Sequence, residues 1–197
     1  MKVAALQLCA SDDPVANLAL TLSMVQQASE AGAQFIATPE VTNCVSSSRR
    51  RQTEVLALQE DDQTLAAMCA AAARFGVWIS IGSLALKLPD DDRFTNRSFM
   101  IAPSGQIVAQ YDKIHMFDVT LSETEQYRES DGYRAGDHAV IADIAFAKIG
   151  MTICYDIRFP HLYRRLAKSG ASILLIPAAF AQPVSYTHLT LPTIYSV

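Results

Sequence analysis

A short apolar strand, a helix and a second apolar strand open the chain, and this order constrains the fold more than any other feature. Val3 to Cys9 is an apolar run typical of a buried strand, and Asp12-Asp13-Pro14 then predicts a helix start. The helix ends near Gly32, and the next strand, Phe35 to Thr38, stops at Pro39. A strand–helix–strand unit of this kind predicts a sheet with helices packed on it.

The same alternation continues along the rest of the chain. Helices are predicted over Gln63 to Phe75 and over Pro160 to Ser169. Polar stretches predict surface loops at Asn43 to Arg51, whose arginines are interpreted as a solvated face, and at Thr120 to Gly136. The remaining apolar runs predict strands at Val77–Leu86, Ser98–Ala102, Ile107–Tyr111, Val140–Ile144, Ala145–Ile153 and Ser172–Ile176. Together these elements predict an α/β fold with the sheet inside and the helices outside.

Composition excludes several classes of protein. A chain of 197 residues with 50% apolar and 18% charged residues predicts one folded domain rather than a disordered segment. A net charge of −4 gives no electrostatic reason to expect nucleic acid or an anionic membrane as a partner. The four cysteines are too irregularly spaced to predict a metal site or a disulfide framework, so we expect a reducing cytoplasm.

Three reactive side chains follow directly after predicted strands: Glu40, Lys113 and Cys154. Because open α/β sheets bind ligands beyond the carboxyl ends of their strands, these side chains are candidates for one cleft. Each has a simpler interpretation when taken alone: a helix cap for Glu40, a surface cation for Lys113 and a small buried hydrophobe for Cys154. Together they supply a base, a cation and a nucleophile, which is a complete set for acyl transfer.

The sequence around these residues resembles that of the nitrilase superfamily of carbon–nitrogen hydrolases. Phe35 to Glu40, Tyr111 to Phe117 and Gly150 to Pro160 are similar to its three signature blocks, in the right order. Arg128-Glu129-Ser130 followed by Gly136 resembles the block that carries the family's second glutamate. The segment from Cys154 to Pro160 looks closest to the Nit branch, whose members include ω-amidase and deaminated-glutathione amidase.

The resemblance implies a nitrilase-type α-β-β-α sandwich and a set of roles. It implies that Glu40 takes the proton from Cys154, and that Lys113 and the N–H of Tyr155 stabilise the oxyanion. It also implies that Glu129 holds Lys113 or the substrate amide. An ammonium beside a thiol favours the thiolate, so we expect Lys113 to lower the pKa of Cys154.

Arg158 has two candidate roles. It is a hypothetical partner for a substrate carboxylate, and it is equally a candidate to brace the turn through Asp156.

The resemblance further implies that ammonia is released from a small carboxylate-bearing amide through a cysteine thioester. Neither a metal nor an organic cofactor is expected. Two alternatives keep the triad but change the substrate, to an N-carbamoyl amino acid or to a nitrile. Two others change the class: a non-catalytic interaction module on the same fold, and an unrelated thiol redox enzyme, which the lack of a second nearby cysteine disfavours.

The end of the chain departs from the family pattern. We expect a hydrolase domain over residues 1–183, because family members continue past Pro177 into a further helix and strands. Residues 184–197 resemble the translated read-through of a cloning adaptor. A chain shortened in this way is expected to expose an open sheet edge and to lose stability and activity. Complete members are expected to form homodimers, partly through the region that is missing here.

Overall fold

Ten strands form two main sheets and a two-stranded ribbon in the computed structural model, which describes residues 1–120 and 126–179. The strands are β1 Val3–Ala5, β2 Phe35–Ala37, β3 Trp78–Lys87, β4 Phe94–Ile101, β5 Ile107–Asp112, β6 Asp118–Thr120, β7 Gln126–Arg128, β8 Val140–Ile144, β9 Ala147–Met151 and β10 Ile173–Leu175. The helices are α1 Pro14–Glu30, α2 Arg49–Val55, α3 Gln63–Phe75 and α4 Pro160–Lys168.

The larger sheet has five strands in the order β1-β2-β3-β4-β5. Its first three strands are parallel, and β4 and β5 add to it as antiparallel hairpins. The smaller sheet has the order β10-β9-β8, with β10 parallel and β8 antiparallel to β9. β6 and β7 pair only with each other.

Alternating side chains of the strands build two separate apolar layers. Ile36 of β2 faces α1 and α3, where it packs with Val25 and Met68, whereas its neighbour Phe35 faces the smaller sheet. The outer face of the smaller sheet is covered by α4, whose Leu166 lies close to Gly150 of β9. The layers therefore run helix, sheet, sheet, helix, which confirms the α-β-β-α sandwich.

Most predicted elements are present, with boundaries shifted by a few residues. The first helix starts as predicted, because the Asp13 side chain accepts hydrogen bonds from the N–H groups of Val15 and Ala16. The first strand was predicted to run to Cys9 but ends at Ala5, since its partner β2 ends at Ala37 and leaves no further strand to pair with.

The prediction of a polar loop with solvated arginines over Asn43 to Arg51 is wrong in part. Ser48 caps a short helix, α2, that begins at Arg49. The Arg49 guanidinium donates to the carbonyls of Gly132 (2.8 Å) and Asp92, and it lies 3.8 Å from the centre of the Phe94 ring. Arg49 is therefore exposed, as predicted, but it is anchored by these contacts.

The stretch Thr120 to Gly136 also contains more structure than a surface loop. It includes β7 and a 3₁₀ turn over Glu129–Asp131. The predicted domain end at residue 183 and the tail 184–197 lie outside the described residues. None of the helices in ranges 1–120 and 126–179 is both long enough and apolar enough to cross a membrane.

Gly82 of β3 lies against the backbone of Thr38 and Pro39, the two residues between β2 and Glu40. A Cβ atom at this position would lie 2.2 Å from the Thr38 carbonyl oxygen and 2.4 Å from that of Pro39. The Gly82 N–H donates to Thr38 Oγ1 at 3.0 Å, and the pairing of β3 with β4 shifts register here. The absence of a side chain therefore allows the segment leading to Glu40 to lie directly on β3.

We expect Gly82→Ala to lower the free energy of unfolding by about 1–3 kcal/mol or more, because backbone carbonyls block the added methyl group. Urea denaturation measures this change. Gly132→Ala is a suitable control, since the nearest atom to its added Cβ is Arg49 Nη1 at 3.5 Å. Equal stability of the two variants would contradict this view of Gly82.

Candidate active site

A cavity of about 930 Å³ lies at the ends of β2, β5 and β9. Its lining includes all six residues that the sequence singled out: Glu40, Lys113, Glu129, Cys154, Tyr155 and Arg158. They come from segments far apart in sequence, and the fold brings them to one edge of the stacked sheets.

Glu40 follows β2 and is almost fully buried, with 6% of its surface exposed. The next residue, Val41, has a φ of 47°, which is a strained conformation for a β-branched residue. Its N–H donates to Ser83 Oγ at 2.8 Å, and Thr42 N–H donates to the Ser83 carbonyl. Hydrogen bonds to β3 therefore hold the strained turn that directs Glu40 into the cavity.

The Lys113 ammonium joins two carboxylates at the end of β5. Its Nζ lies 3.0 Å from Glu40 Oε1 and 3.0 and 2.9 Å from the two oxygens of Glu129. Burial lowers the pKa of Lys113, but the charges of Glu40 and Glu129 outweigh burial and raise it above its ordinary value. The lysine is therefore a permanent cation.

These contacts occupy the ammonium completely. A lysine has three N–H donors, and Lys113 makes three contacts with carboxylate oxygens. A negative charge in the cavity thus feels the charge of Lys113, and it receives an N–H from Lys113 only in exchange for one of these carboxylate contacts.

Glu129 is held from two sides. Beside its contacts with Lys113, its Oε2 accepts a hydrogen bond from the N–H of Phe117 at 2.6 Å. Only 16% of its side chain is exposed, so it is not a solvated carboxylate of a charged loop. Of the two roles implied by the resemblance, the geometry favours holding Lys113.

Cys154 opens the 3₁₀ turn Cys154–Arg158 directly after β9, with a φ of 47°. Its N–H donates to the carbonyl of Pro177 at 2.8 Å, which ties the turn to the end of β10. Tyr155 is the second residue of this turn, and the first N–H groups of a helical turn have no partner within it. Its N–H therefore lies at the start of the turn, next to Cys154.

Lys113 lowers the pKa of Cys154 as predicted, but other effects outweigh it. Burial raises the pKa of the thiol, and the charge of Glu40 and a hydrogen bond to Glu40 raise it further, against the opposing effect of Lys113. The resting group is therefore a thiol that needs a base as it attacks.

Asp156 connects the turn at Cys154 to the strand end at Lys113. It is fully buried, and its Oδ2 accepts from Tyr111 Oη at 2.7 Å and from the N–H of Ile153 at 2.9 Å. Its Oδ1 accepts from the N–H of His115 at 3.1 Å and pairs with His115 Nδ1 at 2.7 Å. Four donors from two segments therefore fix the two segments relative to each other.

Arg158 does not take part in this brace. Both oxygens of Asp156 have other partners, and the Arg158 side chain is exposed at the cavity. Tyr155 packs edge-on against Phe117 and Phe159, with ring centres 5.1 and 5.6 Å apart. Arg158 therefore lines the cavity, whereas Asp156 braces the turn that begins at Cys154.

Sequence reasoning missed three groups that border the site. Asn96 Nδ2 donates to Glu40 Oε1 at 2.9 Å, and the N–H of Ala179 donates to Glu40 Oε2 at 2.9 Å. Tyr133 Oη lines the cavity and accepts from Gln52 Nε2 at 3.0 Å. The predicted strand began at Ser98, so Asn96 was left outside it, although a run of polar residues between Phe94 and Phe99 is unusual for a buried strand.

The raised pKa of Cys154 predicts a loss of stability in alkaline solution. Above about pH 8.5 an unfolded thiol loses its proton, whereas the folded thiol keeps it, so stability falls as the pH rises. For Cys154 the loss is about 1.4 kcal/mol between pH 7 and 9.5. Urea denaturation at both pH values measures it, and Cys154→Ala should show a shallower fall. Equal slopes for the two proteins would contradict the raised pKa.

Comparison with known proteins agrees with the fold. Two stacked sheets between helices, with ionisable groups at the strand ends, define an α-β-β-α sandwich protein with a ligand cavity at the sheet edge. The carbon-nitrogen hydrolase profile matches residues 2–195, and the chain belongs to this family.

The relatives are amidases by name. A deaminated glutathione amidase from Yersinia enterocolitica is 38% identical over 189 residues, covering 94% of this chain and 65% of the relative. Omega-amidase NIT3 from Saccharomyces cerevisiae is 28% identical over 185 residues, covering 91% of this chain and 64% of the relative. The chain thus spans just under two thirds of the length of these proteins.

The fold matches a solved structure closely. The crystal structure of the C. elegans NitFhit protein has a TM-score of 0.88 at 26% identity, covering 95% of this chain and 46% of that one.

Proposed function

We propose that this protein is an amidase that hydrolyses a small carboxylate-bearing amide through a thioester on Cys154. The observation that carries the proposal is the contact of Lys113 with Glu40 and Glu129 at 2.9–3.0 Å, in one cavity with Cys154. Relatives named deaminated glutathione amidase and omega-amidase support the choice of an amide.

The proposed reaction has two acyl transfers. Glu40 takes the thiol proton as the sulfur of Cys154 attacks the amide carbon, and the charge of Lys113 and the N–H of Tyr155 stabilise the oxyanion. The proton then passes to the leaving nitrogen, and ammonia departs. Water, deprotonated by Glu40, attacks the thioester and releases the acid and the thiol.

The cavity supports a substrate with a negative charge. Two exposed arginines, Arg128 and Arg158, line it. A guanidinium binds a carboxylate through two parallel hydrogen bonds, which a lysine cannot reproduce.

We expect Arg158→Lys to raise KM about tenfold with kcat nearly unchanged, because the lost contact holds the carboxylate in the ground state and the transition state alike. Steady-state kinetics measures both constants. Arg165→Lys, on the exposed side of α4, should leave them unaltered. A fall in kcat at constant KM would instead assign Arg158 to the chemical step.

Ammonia release from three compounds tests the proposal: 2-oxoglutaramate, an N-carbamoyl amino acid and an aliphatic nitrile. The highest kcat/KM is expected with 2-oxoglutaramate. A preference for the nitrile or the carbamoyl compound would overturn the substrate class, and no release from any of them would overturn the activity.

Three further assignments belong to this proposal. The hydrolase domain spans residues 1–183. The four free cysteines fit a reducing compartment, for which we propose the cytoplasm. The homodimer of complete family members stays a prediction.

A further inference from the structure

Asn96 is a buried side chain of β4 whose only described side-chain partner is Glu40. It is 2% exposed, and its Nδ2 donates to Glu40 Oε1 at 2.9 Å. Glu40 and Asn96 are far apart in sequence, so this contact exists only in the folded protein.

Because of this contact, the two oxygens of Glu40 have different hydrogen-bond partners. Oε1 receives both Asn96 Nδ2 and Lys113 Nζ, at 2.9 and 3.0 Å. Oε2 receives the N–H of Ala179 at 2.9 Å and no second N–H donor among the described residues. Oε2 is therefore the oxygen with an acceptor position left for the thiol of Cys154, which lines the same cavity.

The orientation in which Asn96 donates to Glu40 has a cost to stability. Its Oδ1 is buried and has no hydrogen-bond partner among the described residues. Turning the amide over would bring Oδ1 against the negatively charged Glu40, so the side chain is held in the orientation that leaves Oδ1 unpaired. Buried polar atoms without partners are rare, and a functional constraint is one of their known causes.

We propose that Asn96 is a positioning residue for the reaction proposed above. Together with Lys113 it clamps Oε1 of Glu40, so that Oε2 faces the thiol. The proton then passes from Cys154 Sγ to Glu40 Oε2 as the bond between sulfur and the amide carbon forms. The inference rests on the proposed function for its chemistry and on the contacts of Asn96 for its geometry.

The neighbouring residue provides a matched control. Thr95 is 1% exposed, and its Oγ1 is also a buried atom without a partner in the described part of the chain. Successive residues of a strand point to opposite faces, so Thr95 points away from Glu40. Removing either polar side chain relieves an unpaired atom, but only Asn96 touches the carboxylate.

Asn96→Leu and Thr95→Val test the inference. Asn96→Leu loses a hydrogen bond to a buried carboxylate that Lys113 still contacts, so it should melt about 3–12 °C below the unmodified chain. Thr95→Val loses no hydrogen bond to a described residue, so it should melt within about 3 °C of the unmodified chain. Asn96→Leu should lower kcat about 10- to 100-fold with KM unchanged, because the misplaced base affects only the chemical step. Thr95→Val should keep both constants. Asn96→Ala, which cannot overpack, should match Asn96→Leu in kcat.

Each outcome decides the inference. An unchanged kcat in both Asn96 variants overturns it, and so does an equal loss of kcat in Thr95→Val. If Asn96→Leu melts more than about 12 °C below the unmodified chain, Asn96 is chiefly a structural residue and the inference fails, whether or not the chain is active. If the unmodified chain releases no ammonia, the result counts against the proposed function alone. The melting temperatures of the Asn96 variants then still show whether Asn96 is chiefly a structural residue.

Discussion

Replacing Cys154 with alanine is expected to lower ammonia release by at least about 10⁴-fold while the chain stays folded. Without the sulfur no thioester forms, and neither Glu40 nor Lys113 offers another nucleophile in its place. The fold should survive because the change removes one atom, and because the turn is held by Asp156 and by the N–H of residue 154 itself. Steady-state ammonia release and far-UV circular dichroism measure the two effects.

Cys69→Ala is the matched control for this change. Cys69 is a partly buried free thiol on α3, packed against the helix side of the larger sheet and outside the cavity. We expect its removal to leave turnover unaltered. A Cys154→Ala variant that still releases ammonia at an appreciable rate would end the assignment of the nucleophile.

Replacing Glu40 with glutamine is the second change with a large expected effect, a fall in kcat of about 10³-fold. The amide keeps the shape of the carboxylate, and its oxygen can still accept from Lys113 and Asn96. It cannot take a proton from the thiol. Loss of the negative charge also removes one cause of the raised pKa of Cys154. The variant should therefore have a more acidic thiol and a slower reaction.

This combination separates a base from a merely structural carboxylate. The pH dependence of iodoacetamide alkylation at Cys154 reports the thiol pKa, with the exposed Cys9 as an internal reference. Glu54→Gln, at an exposed pair with Arg50 on α2, should change neither property. An unchanged kcat in Glu40→Gln would contradict the role of Glu40, and an unchanged thiol pKa would contradict its influence on Cys154.

The positions of Glu40, Lys113 and Cys154 were predictable because each follows a strand with a clear apolar pattern. Glu40 and Lys113 follow strands of the larger sheet that run in the same direction, so local patterns were enough to predict that they meet at one edge. Cys154 follows β9 of the smaller sheet and joins them because the two sheets stack. The contacts that arrange the groups were not predictable in this way. Asn96 reaches Glu40, and Asp156 reaches Tyr111 and His115, only after the two sheets have stacked.

The net rise in the pKa of Cys154 was not predictable from the sequence for the same reason. The sequence indicated an ammonium near the thiol, but the balance depends on burial and on the distance to Glu40, which are properties of the folded chain. The helix α2 was missed because its polar sequence has no apolar period. Arg49 is fixed instead by carbonyl groups and an aromatic ring that are remote in sequence.

Acid quenching during turnover, followed by peptide mapping, tests most directly whether Glu40, Lys113 and Cys154 act together as one nucleophilic centre. With 2-oxoglutaramate as substrate, we predict an acyl group on Cys154, formed together with one equivalent of ammonia, and no such adduct in Cys154→Ala. Ammonia release without acylation, or an acyl group on Cys9, Cys44 or Cys69 instead, would contradict it.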